Sequence, residues 1–61
     1  MTEEFLVTTP IMTEHLERCG WEHYPATAYE EEVWLLPGRI QFEGDDSLLR
    51  AYYWQIQQEA V

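Results

Sequence analysis

The chain has no lysine, and its three basic side chains outside histidine are Arg18, Arg39 and Arg50, set against twelve acids. Net charge is −9 at neutral pH. Affinity for phosphate rests on Lys and Arg, so direct binding of nucleic acid is disfavoured. Anionic membrane surfaces are disfavoured for the same reason. Cys19 is the single cysteine, which excludes an intrachain disulfide. With two histidines, a four-ligand zinc site from one chain would have to recruit carboxylates. No run approaches the ~18 apolar residues of a membrane span. The acidic start MTEEFLVTTP lacks the basic and long apolar regions of a signal peptide. A lone thiol without such a signal fits a reducing cytoplasm. Glycine-rich phosphate loops, internal repeats and low-complexity segments are also missing.

What remains is one small domain, residues 1–61, rich in aromatics: three tryptophans, four tyrosines and two phenylalanines. Chains of this size bury only about 60% of their unfolded surface. Dense aromatic packing or self-association must supply stability.

The centre of the pattern is Tyr29–Phe42, YEEEVWLLPGRIQF. Val33–Leu36 and Ile40–Phe42 carry residue types that suit strands, and Pro37-Gly38 suits a type II turn. A loop longer than two residues, or a bulge, is expected there, since type II is not the favoured hairpin turn. Alternation groups Tyr29, Val33 and Leu35, with Glu31 among them, and Ile40 and Phe42 are expected to complete that face. Trp34 and Leu36 then fall on the other face, beside Glu30 and Glu32. An indole in that position requires a covering layer or a partner.

Phe5–Val7, with Thr8 and Thr9, reads as a first strand. Thr9-Pro10 opens a helix of about ten residues, whose stripe is Ile11, Met12, His15, Leu16 and Cys19. Gly20 is placed to end it in the left-handed conformation, with Trp21 folding back on the last turn. Trp21–Ala28 is a connector expected to lie on the core. Asp45 or Asp46 caps a second helix, whose buried stripe is Leu49, Tyr52, Tyr53, Ile56 and Ala60. Trp54 lies outside that arc, on the water-facing side. The order β-α-β-β-α predicts an α+β fold: a two-layer sandwich of a short antiparallel sheet with both helices on one face. A helical pair decorated by a hairpin is the alternative.

His15, Cys19 and His23 recur every fourth residue, and Glu22 could complete a zinc set. Gly20 interrupts the helix before His23, however, and a cysteine on an apolar stripe is usually a small buried hydrophobe. The expectation is therefore no bound metal and no cofactor, with a metal-dependent regulator as an alternative. Ser47 has no histidine near it in sequence, and Cys19 sits in negative surroundings that do not activate a thiol. Glu30–Glu32 reads as a solvated run. No enzyme activity is expected of a chain with so little room for an enclosing pocket.

Binding is left. Trp34 and Trp54 are the expected anchors, rimmed by Glu30, Glu32, Asp45 and Asp46. A basic protein surface is the natural complement of this charge. Solubility alone, or adaptation to high salt, would also account for an acidic surface. The tiny, lysine-free, aromatic-rich profile resembles small phage and mobile-element proteins that inhibit a host enzyme, some by imitating the charge of DNA. That resemblance implies an inhibitor or adaptor that occludes a nucleic-acid-handling protein. An assembly subunit that closes a homodimer, or docks on a larger complex, is the reading from a different class.

Overall fold

The computed structural model describes residues 9–60. Helix α1 (Thr9–Arg18) is followed by strands β1 (Glu22–Tyr24), β2 (Val33–Leu36) and β3 (Ile40–Glu43), then helix α2 (Ser47–Glu59). The fold is α+β, with one antiparallel sheet in the order β1-β2-β3. Phe5–Val7, read above as a strand, lies outside the described residues. The third strand comes instead from Glu22–Tyr24, inside the segment expected to be a connector. Pro25, by holding Tyr24 extended, leaves that short run free to pair with β2.

Helix α1 ends as its glycine predicts. Gly20 has φ +96°. The Trp21 N–H donates to the Leu16 carbonyl (3.0 Å) and the Gly20 N–H to that of Glu17 (3.2 Å). This is the paired bonding of a Schellman cap, and Leu16 and Trp21 make its apolar contact inside the core.

The hairpin loop has three residues, Pro37, Gly38 and Arg39, and pairs Leu36 with Ile40. The Arg39 N–H donates to the Leu36 carbonyl (2.9 Å), and Gly38 at φ +78° occupies the position that a type II turn reserves for glycine. The odd loop length settles which faces meet. Trp34 stands opposite Phe42 and Leu36 opposite Ile40, so these four share a face. The expected grouping of Val33 and Leu35 with Ile40 and Phe42 is corrected, because a one-residue slip in register exchanges the faces. Trp34 is 1% exposed and centres a core completed by Leu16, Trp21 and Ala51.

Helix α2 is also turned from its expected phase. Ser47 and Ala51 are fully buried, while Leu49 (46%) and Tyr53 (55%) are exposed. Ala51 joins Trp34 in one buried cluster, and Leu48, Tyr52 and Trp54 of α2 pack against its margin. Asp46 occupies the N-cap position, but its carboxylate makes no cap bond and pairs with Arg50 at 2.9 Å instead.

Gly44 links β3 to α2 at φ +109°, and its N–H donates to the Glu32 carbonyl (2.9 Å). A Cβ there would sit 3.1 Å from Glu31 Oε1. Gly44→Ala is expected to lower unfolding stability by about 1–3 kcal/mol, chiefly through backbone strain. Urea denaturation followed by circular dichroism measures this; an unchanged midpoint would show that the backbone relaxes without loss.

Candidate functional site

The sheet face turned away from the core carries, by alternation, Glu22 and Tyr24 of β1, Val33 and Leu35 of β2, and Gln41 and Glu43 of β3. Tyr24, Val33 and Glu43 form one cross-strand row. Beside it the chain between β1 and β2 folds over on Thr27. The Thr27 Oγ1 accepts from the backbone N–H groups of Tyr29 (3.1 Å) and Glu30 (3.0 Å), and the Thr27 N–H donates to the Glu30 carbonyl (2.8 Å). This turn, of the kind threonine favours, presents Tyr29 with 96% of its surface exposed.

The row and the turn line an open cleft of about 410 Å³. Tyr24, Pro25, Tyr29 and Val33 give it apolar walls, and Glu30, Glu31 and Glu43 give it negative charge. No arginine lines it. Arg18 pairs with Glu14 and Arg50 with Asp46, each across one helical turn, while the Arg39 guanidinium lies 5.4 Å from the centroid of the Trp54 ring system. The Tyr24 hydroxyl donates to Glu22 (2.7 Å), and that bond to a carboxylate holds the phenol pKa above its ordinary value. The cleft can accept a cation between carboxylates and aromatic faces, the setting that suits a guanidinium or ammonium group.

The expected anchors are elsewhere. Trp34 is in the core, which removes it as a surface contact. His23 stacks on it across the strands, centroids 4.3 Å apart, and bonds Glu32 at 2.6 Å. Glu32 is thereby half-buried and spoken for, rather than a free rim acid. Trp54 is half-buried at the core margin, edge-on to Trp21 at 5.8 Å and beneath Arg39. Asp45 and Asp46 are exposed at the start of α2, outside the cleft. Of the six expected contact residues, Glu30 alone lines it. Sequence reasoning misses Tyr24, Tyr29 and Glu43 as lining residues, although Pro25 and Thr27, standing between Tyr24 and Tyr29, are the signal of a turn that exposes them.

The triad His15, Cys19 and His23 is divided. Gly20 ends α1 and sends His23 into β1, so the regular spacing does not become a shared site. His15 and Cys19 meet Glu59 of α2 instead. Burial, then the hydrogen bond and charge of Glu59, push the Cys19 thiol up. Hydrogen bonds from Gln55 and His15 hold the Glu59 carboxyl below its usual range. Ser47, the lone serine, is closed off from solvent. Among the described residues, no helix is long and apolar enough to cross a membrane.

No protein-family description, characterised protein or solved structure matches the chain.

Proposed function

We propose that this protein is a small acidic binding module, an inhibitor or adaptor that occludes a basic surface of a protein partner. Nucleic-acid-handling proteins are the class that carries such surfaces. The observation that supports this reading is the arginine-free cleft, lined by Glu30, Glu31 and Glu43 together with Tyr24 and Tyr29. An arginine or lysine side chain of the partner enters there, its stem against Val33 and Pro25 and its charge among the carboxylates. The remaining negative field speeds the approach and rejects acidic partners.

The test is a calorimetric titration of the full chain against arginine-containing peptides and a basic protein domain. Tyr29→Ala is expected to weaken binding at least about tenfold, as loss of an aromatic contact at a binding centre does. Charge removal at a distance, Glu14→Gln, is expected to change it little. Equal losses from the two variants would mean that only overall charge is sensed and would sink the cleft.

A second reading, assembly of identical copies, draws on the outward stripe of Leu49 and Tyr53 on α2. The two readings differ in the sign of their salt dependence. Self-association of chains with net charge −9 is helped by salt, whereas capture of a basic surface is weakened by it. Light scattering across ionic strength is expected to show a monomer throughout; a dimer that tightens with salt would favour assembly.

A further inference from the structure

His15, Cys19 and Glu59 meet where the last turns of α1 and α2 lie side by side, and one ligand atom from each falls within 4.8 Å of the others. The thiol sulfur is 3.6 Å from Glu59 Oε2 and 3.9 Å from His15 Nε2, and His15 Nε2 is 2.7 Å from Glu59 Oε2. Zinc bonds of about 2.0–2.3 Å at tetrahedral angles place such atoms roughly 3.4–3.6 Å apart. The sulfur–oxygen spacing is already there. The sulfur–nitrogen distance must close by about 0.3 Å and the nitrogen–oxygen distance open by about 0.7 Å, movements within reach of half-exposed side chains.

We propose that His15, Cys19 and Glu59 bind one zinc ion through imidazole nitrogen, thiolate and carboxylate, with water in the fourth position. The donor set selects the metal class: thiolate and imidazole favour zinc over the hard cations calcium and magnesium. One thiolate and one carboxylate neutralise the divalent charge, and the thiol proton leaves to solvent as the sulfur binds. Supporting contacts that metal sites use are in place. Gln55 Nε2 donates to the ligating carboxylate at Glu59 Oε2 (2.8 Å), and the Tyr52 ring stands edge-on to His15 at 5.7 Å. The ion would tie the end of the first helix to the end of the last. That is a staple for a chain whose single cysteine cannot make an internal disulfide. None of the cleft residues takes part, so the site stands independently of the proposed binding function.

The experiment is a titration of the reduced full chain with cobalt(II), then zinc. One cobalt per chain is expected, with a thiolate-to-metal charge-transfer band and the intense visible bands of four-coordinate cobalt, both bleached by zinc. Glu59→Gln, a change at a half-exposed surface carboxylate, is expected to keep the circular dichroism spectrum and weaken the metal at least about tenfold. Cys19→Ser is expected to abolish the charge-transfer band. Free zinc at about a hundred times its Kd is expected to raise Tm by roughly 10 °C. Absence of the band, a stoichiometry of one metal per two chains, or undiminished affinity in Glu59→Gln would each overturn the proposal.

Discussion

Trp34→Ala is expected to abolish the cooperative thermal transition. Truncating a fully buried tryptophan costs about 3–5 kcal/mol, through lost apolar burial and the cavity left behind. A chain of this length holds only about 3–9 kcal/mol in total, at roughly 0.05–0.15 kcal/mol per residue. Trp34 shares one buried cluster with Leu16 of α1, Ala51 of α2 and Trp21 of the link into β1, and it stacks on His23. Removing it takes the shared wall from all of them at once. The measurement is far-ultraviolet circular dichroism against temperature, with near-ultraviolet signal as the probe of packing. Ser47→Ala serves as the control, because Ser47 is equally buried but its hydroxyl has no hydrogen-bond partner among the described residues. Losing an unpaired buried hydroxyl is expected to raise stability by about 1 kcal/mol. A sharp melt at the wild-type temperature in Trp34→Ala would mean that the core is organised around something else.

The second large effect is on binding. Glu30, Glu31 and Glu43 exchanged together for glutamine are expected to lower affinity for a basic protein surface by roughly thirtyfold to a hundredfold at low salt. The change keeps shape and hydrogen-bonding capacity and removes charge, so it isolates the electrostatic part. The dependence of Kd on salt is expected to flatten in the same variant, since fewer ion contacts remain to be screened. The association rate should fall with it, because steering acts on the encounter before any contact forms. Stopped-flow kinetics at two ionic strengths read both quantities. A triple variant that binds with wild-type affinity and salt dependence would place the contact surface elsewhere on the molecule.

These expectations rest on residues that differ in how visible they are from sequence. The ends of α1 were legible because glycine at the left-handed position and proline in the first turn act locally, through their own backbone. The turn at Pro37-Gly38 was legible for the same reason. The third strand was not, since three residues, Glu22–Tyr24, hold too few alternations to register a period and become a strand only by pairing with β2. The cleft was half legible: Glu30 stood out by charge, while Tyr29 was assigned to a strand face that the turn on Thr27 denies it.

The helix-end cluster shows the limit from the other side. A spacing of four named His15 and Cys19 correctly as neighbours, but their third member, Glu59, is 40 residues further along the chain than Cys19. No local pattern joins them. Likewise the helical wheel of α2 ranks Leu49 and Tyr53 above Ser47 and Ala51, because hydrophobicity scales weigh each side chain alone. Packing decides by contact across the layers, where Ala51 joins the Trp34 cluster and Leu48, Tyr52 and Trp54 pack against it.

By itself, then, the sequence determined the strongly acidic charge, both ends of α1 and the start of α2, the hairpin and the α+β class. All of these follow from single residues or short-range periodicity. Tertiary structure decided which sheet face is inside, which side of α2 meets it, and which side chains share the cleft and the helix-end cluster. A three-residue loop sets the register, register sets which side chains share a face, and packing around one buried indole then selects the side of α2 that meets it.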